Sequence, residues 1–177
     1  MPPSQIPEKL VNFACYAGTG ALEFLGMTDI DLPKLESMTD TIHGAGIAGE
    51  YDSPTIGHFK AMVVKLAWRT TTEAALGLLA PALHALDIRG SIQILDPMTG
   101  QLVTQALRLA VTGEVKGFEP GKLEPGKPMA STCEVEVAKL SIFLGGVPII
   151  ELDKFCGVFK VNGFDYLKSV RSDLGKA

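Results

Sequence analysis

Over long stretches of this chain the apolar residues recur at every second position, and that period restricts the fold more than any other feature of the sequence. Between His58 and Arg69, Met62, Val64, Leu66 and Trp68 share one face, while Ala61, Val63, Lys65, Ala67 and Arg69 share the other. This alternation predicts a half-buried strand over His58–Arg69, with Trp68 in the core. In QLVTQALRLAVTGEV, Val103, Leu107, Leu109 and Val111 oppose Thr104, Arg108, Thr112 and Glu114. In STCEVEVAKLSIFL, Cys133, Val135 and Val137 alternate with Glu134 and Glu136 until Lys139 breaks the phase, which predicts a β-bulge there.

Turn residues divide these runs into hairpins. Pro97–Gly100 separates RGSIQILD from the long arm that follows, and Gly145–Gly146 turns STCEVEVAKLSIFL into VPIIELDKF. Helical signals are few. Thr70 and Glu73 have capping-box spacing, and Leu76, Leu79, Leu83 and Leu86 follow at helical spacing, with Pro81 predicting a kink or two short helices. Near the end, Leu167, Val170 and Leu174 form a stripe that predicts a short helix capped by Asn162 or Asp165. Pro33 marks an edge or a bend between extended pieces, and HGAGIAGEYDSPTIG reads as a long bent loop. The near-repeat Glu-Pro-Gly-Lys at 119–122 and 124–127 reads as an exposed connection. The first twenty residues show no sustained period. The expected architecture is mainly β (α+β): a small antiparallel β-barrel or sandwich with one flanking helix, long hairpins and a short C-terminal helix. It forms a single domain over 1–177, of which 1–21 is an N-terminal arm.

With 177 residues, 46% of them hydrophobic and 20% charged, the chain is long and apolar enough for one core. A net charge of -4 with dispersed Lys and Arg carries no footprint of a protein that grips nucleic acid. The opening MPPSQIPEKLVNFACYAGTG has no signal-peptide pattern, and no stretch reaches membrane-spanning length, so synthesis and folding are expected in the cytoplasm without a membrane anchor.

Cys15, Cys133 and Cys156 fit no metal spacing and are odd in number, which favours reduced thiols. His43, His58 and His84 fall in a loop, a strand start and a helix, with no ligand-spaced partner. GAGIAG at 44–49 resembles a dinucleotide fingerprint but lacks its glycine spacing and a βαβ setting. Glu134 and Glu136 have the chemistry of an acid–base pair, yet acids alternating with valine describe the wet face of a strand. No catalytic, cofactor-binding or metal-binding residue is assigned.

Three stretches together resemble the major tail tube proteins of contractile-tailed phages and phage-tail-like bacteriocins. One is LPKLE at 32–36 followed by HGAGIAGEYD; another is the strand, helix and hairpin order from His58 to Val115. The most specific is IELDKFCGVFKVNGFDYLKSVRSDLG, where Glu151, Asp153, Lys160, Val161, Asn162, Gly163, Asp165, Leu167 and Leu174-Gly175 match the family ending. The resemblance implies a structural subunit rather than an enzyme, a β-barrel with a flanking helix, and hexameric rings stacked into a hollow tube. It also implies contacts with sheath, baseplate and tail terminator proteins, and a place in the virion tail after assembly in the host cytoplasm. DNA or ions would pass through the lumen without specific binding. On this reading the polar face with Thr104, Thr112, Glu114, Glu134 and Glu136 looks into the channel, with Arg108 as its single cation. A second reading, from another class, is a small β-barrel ligand- or flavin-binding protein, which predicts a monomer or dimer with a bound chromophore.

Overall fold

A computed structural model describes residues 5–18 and 23–176. Strands dominate in the order β1 (Ile6–Ala17), β2 (Glu23–Phe24), β3 (Asp29–Asp31), β4 (Ser37–Ile42), β5 (Tyr51–Phe59) and β6 (Val63–Trp68). A five-residue helix α1 (Glu73–Gly77) precedes β7 (His84–Asp96), β8 (Gln101–Glu119), β9 (Ser131–Leu144), β10 (Val147–Asp153), β11 (Val158–Val161) and β12 (Phe164–Asp165). The helix α2 (Lys168–Asp173) ends the described elements. The main sheet is antiparallel and runs β12-β11-β10-β9-β8-β7-β1-β2, with β6 also paired to β9 and β3 to β6; β4 and β5 form a separate hairpin.

The centre of the design is β9, which changes partners halfway along. Ser131–Glu136 pairs with β6, whereas Lys139–Leu144 pairs with β10. Between them the register with β8 jumps from Gly113–Val137 to Thr112–Lys139, so Ala138 is the extra residue of a bulge. This is the bulge that the phase break at Lys139 predicts. Its extra residue bends the strand and lets two partners share one edge. Buried beside it, Gly113 has no room for a side chain, because a Cβ there would lie 2.3 Å from the Glu136 carbonyl oxygen.

The curved sheet wraps one core. Met62, Val64, Leu66 and Trp68 join Cys133, Val135, Val137 and Leu140, together with Leu86, Ile88, Leu109, Val111 and Cys15. Trp68 Nε1 donates to the Leu25 carbonyl at 2.8 Å, and the Leu25 N–H donates to the Cys15 carbonyl at 2.9 Å, so a single residue spans β6 and β1. The sheet edges approach each other there without pairing, and among the described residues no ladder closes a barrel.

The β7–β8 and β9–β10 hairpins form as expected, the second through Gly145 and Gly146 with φ of 60° and 83°, a type I′ arrangement that suits strand twist. Other expectations change. The strand read as His58–Arg69 is interrupted at residues 60–62, because β5 closes on β4 before β6 begins. Half of the expected 44–57 loop is β5, where Pro54 is tolerated in a two-stranded sheet whose outer edges are unpaired. Segment 6–17, expected within an arm, pairs with β7 from Ile6–Leu95 to Ala17–Leu86.

Helix α1 is capped by Thr72, whose hydroxyl accepts from Ala75 N–H, and not by Thr70. It stops before Pro81, buries Ala75 and Leu78, and leaves Leu76, Leu79 and Leu83 exposed. Leu86 and His84 belong to β7, so the strand period prevails over the helical one. Asn162 and Gly163, with φ of 50° and 81°, make the β11–β12 turn, so Asn162 is not a helix cap. Asp165 does support α2: its carboxylate accepts from Leu167 N–H and pairs with Arg171.

Candidate assembly surface

Strand register puts the residues expected on a wet face onto one side of the sheet. Thr104, Arg108, Thr112 and Glu114 keep one parity along β8; Thr112 opposes Lys139 and Glu114 opposes Glu136. Glu134 follows opposite Gly117, after a second register shift that leaves Lys116 unopposed. The structure therefore brings together all six residues that alternation assigns.

It also changes their electrostatics. Arg108 is not the face's only cation, because Arg89, Lys116 and Lys139 share it and most carboxylates are matched. Lys116 lies 3.8 Å from Glu134, Lys154 3.1 Å from Glu136, Lys139 3.7 Å from Asp153 and Lys160 2.8 Å from Glu151. These partners were missed because cross-strand neighbours lie far apart in sequence. Asp87 and Arg89 had a signal, since Asp87, Arg89, Ser91 and Gln93 alternate with Leu86, Ile88, Ile92 and Ile94. The leucine spacing across Leu83 and Leu86 competed with it.

Asp87 is the most buried of these acids, and burial alone would raise its pKa. Hydrogen bonds and charge from Arg108 and Arg89 outweigh that and hold it below the ordinary aspartate range. Asp153 behaves similarly: burial opposes ionisation, but the N–H groups of Cys156 and Phe155 together with Lys139 keep its carboxyl low.

Two other regions leave apolar side chains in water. Around the β7–β8 tip and the strand beside it, Ile6, Leu10, Val11, Met98, Leu102 and Val103 are exposed. On the β4–β5 hairpin, Met38, Ile42, Ile47, Tyr51 and Ile56 are exposed as well. Apolar residues gathered on hairpins with open edges are the form that surfaces take when another chain covers them.

Cys15 and Cys133 are buried and Cys156 is exposed. Burial pushes the Cys15 thiol up to about 12, with help from Asp87, and the Cys133 thiol to about 11, with help from Glu134. Neither has the lowered pKa of a nucleophile. His84 Nε2 lies 3.0 Å from the Ala80 carbonyl. Among the described residues no cluster of three or more His, Cys, Asp or Glu could hold a metal, and no helix is long and apolar enough to cross a membrane.

A curved, open-edged β-sheet whose polar face is ion-paired and whose hairpins carry uncovered apolar residues defines a subunit that builds a larger structure. The chain belongs to the family of phage tail tube protein FII, whose model matches residues 7–175. It is a structural subunit of a tail tube, and its place is the virion tail. No curated protein matches the sequence.

Solved structures share the fold. The sheath/tube terminator of the extracellular contractile injection system PVC, in its extended state, matches with 12% identity and a TM-score of 0.53 over 78% of this chain and 97% of that one. A chain of the baseplate of the anti-feeding prophage matches with 10% identity and a TM-score of 0.51 over 78% and 96%. Family membership decides between the two readings of the sequence, in favour of the tube subunit over the ligand- or flavin-binding barrel.

Proposed function

We propose that the whole chain acts as one tube-building domain, that its copies close into hexameric rings, and that the rings stack into a hollow tube held by sheath, baseplate and terminator proteins. The observation that carries this is the pairing of open strand edges with uncovered apolar hairpins on a subunit of this family. A ring satisfies the edges and buries the hairpins together, which an isolated chain cannot do. The matched ion pairs of the polar face suit a wall exposed to water, through which DNA or ions pass. No step in this role requires catalysis; the tube acts as a rigid conduit. Subunits assemble in the host cytoplasm before the particle is released.

Size-exclusion chromatography with negative-stain microscopy tests the proposal. Rings or tubes of uniform diameter are expected, and a species that stays monomeric from micromolar to millimolar concentration refutes it.

A further inference from the structure

Arg89 of β7 and Arg108 of β8 are direct register partners, so two like charges face each other across neighbouring strands. Such a pair repels unless something binds both. Asp87 does so: one carboxylate oxygen accepts from Arg89 Nε at 2.9 Å and Nη2 at 2.6 Å, and the other accepts from Arg108 Nε at 2.7 Å. The acid is sunk beneath the bases, with 8% of its side chain exposed against 50% for Arg89 and 47% for Arg108. One negative charge against two positive ones leaves this spot net cationic. Each guanidinium also rests near a ring, 5.4 Å from the Tyr16 centroid for Arg89 and 5.4 Å from the Phe143 centroid for Arg108, so both planes are supported.

Donor count shows what remains. Asp87 takes Nε and Nη2 of Arg89 but only Nε of Arg108, so both terminal nitrogens of Arg108 and Nη1 of Arg89 are not used by it. Arg89 and Arg108 line an open hollow of about 490 Å³, on whose face the small side chain of Ala106 lies next to Arg108 along β8. We propose that this hollow binds a phosphate oxyanion, as free phosphate or as the phosphodiester of a nucleic-acid strand. Two preoriented guanidinium forks suit a tetrahedral oxyanion that accepts from both at once, and the buried carboxylate holds the forks without occupying the hollow. The site stands on this geometry alone and goes beyond the tube reading. Microscopy reports rings independently of whether phosphate binds.

The test uses the purified full chain in low-salt buffer, with equilibrium dialysis of radiolabelled inorganic phosphate, fluorescence anisotropy of a labelled dT8 oligonucleotide, and acetate as competitor. Saturable binding is expected, weakened about tenfold or more by Arg89→Gln and by Arg108→Gln and unchanged by Lys116→Gln on the same face. Should a glutamine variant lose its circular-dichroism spectrum, Arg108→Lys replaces it; keeping the charge without the fork should still weaken binding severalfold. Phosphate binding identifies a free oxyanion as ligand, and oligonucleotide binding identifies the phosphodiester. Absence of both, binding indifferent to the arginine variants, or equal competition by acetate overturns the proposal.

Discussion

The Glu136 carboxylate accepts a hydrogen bond from the backbone N–H of Met62 at 3.1 Å, linking residues 74 positions apart where β9 leaves β6 for β10. The same oxygen pairs with Lys154 at 3.1 Å, so a residue that looks like ordinary strand polarity ties β9 to the residue just before β6 and the residue just after β10.

Glu136→Lys should therefore destabilise the subunit by about 1–3 kcal/mol, because the N–H of fully buried Met62 loses its acceptor and Lys154 faces a second cation. Glu134→Lys, where the half-exposed Lys116 pair is lost and the new charge faces Lys65 across the strands, should cost about 1 kcal/mol. Urea unfolding of both variants checks this, and equal losses would show that Glu136 makes no such tie. Glu134→Lys is thus the cleaner probe of whether this face lines a channel.

Trp68→Ala should cost about 3–5 kcal/mol through the cavity it leaves in the core. Trp68→Phe keeps much of the ring but strands the Leu25 carbonyl, and should cost about 1–2 kcal/mol. Thermal melts of the two variants separate packing from the hydrogen bond. An unchanged melting temperature in Trp68→Ala would place the side chain outside the core.

Gly57 has φ of +68°, and a Cβ there would lie 2.6 Å from Leu167 Cδ1. Gly57→Ala should destabilise by about 1–3 kcal/mol and loosen the docking of α2. Hydrogen exchange at Arg171 and Leu174 N–H, which bond back to the Leu167 and Val170 carbonyls, should accelerate before global unfolding. Unaltered exchange there would show that Leu167 gives way without cost.

Stability should fall in acid through Asp87. Its folded pKa lies below the ordinary value, so its contribution is fully present above the unfolded aspartate pKa of about 3.9 and is lost as pH drops through the folded value. Asp87→Asn should cost about 1.5–3 kcal/mol at pH 7, by leaving Arg89 opposite Arg108 with no charge between them, and should flatten the acid limb. Denaturant midpoints from pH 7 down to pH 2 measure both effects; parallel profiles would assign the acid limb to other carboxylates.

In the folded subunit a thiol reagent should modify Cys156 quickly and spare Cys15 and Cys133, whose burial both blocks access and disfavours the thiolate. Mass spectrometry after a brief pulse at neutral pH should find one modified cysteine, rising to three in guanidinium. Rapid modification of Cys133 would mean that β9 opens more readily than its burial implies.

Most of the strand map was legible because alternation acts locally: Met62–Trp68 and Cys133–Val137 face the core as their spacing demands. Glycine pairs and the Pro97–Gly100 turn marked the hairpins for the same reason, since their backbone preferences depend on few neighbours. The leucine series from Leu76 to Leu86 misled because helical spacing says which residues share a face, not whether the helix persists. Pro81 and the ladder from His84 to β8 ended it. Strand β1 carried almost no signal of its own, as its partners lie roughly seventy to ninety residues further along.

Side-chain alternation and turn chemistry thus settled the mainly-β character, the hairpins and the polarity of each strand face, because those depend on residues a few positions apart. Tertiary structure alone decided that β9 serves two partners, that the sheet curls onto Leu25 without closing, and that Asp87 sits between two arginines. Each of these joins segments distant along the chain, and period and propensity do not specify which distant strand supplies the neighbour. Pairing energy across the whole sheet selects it.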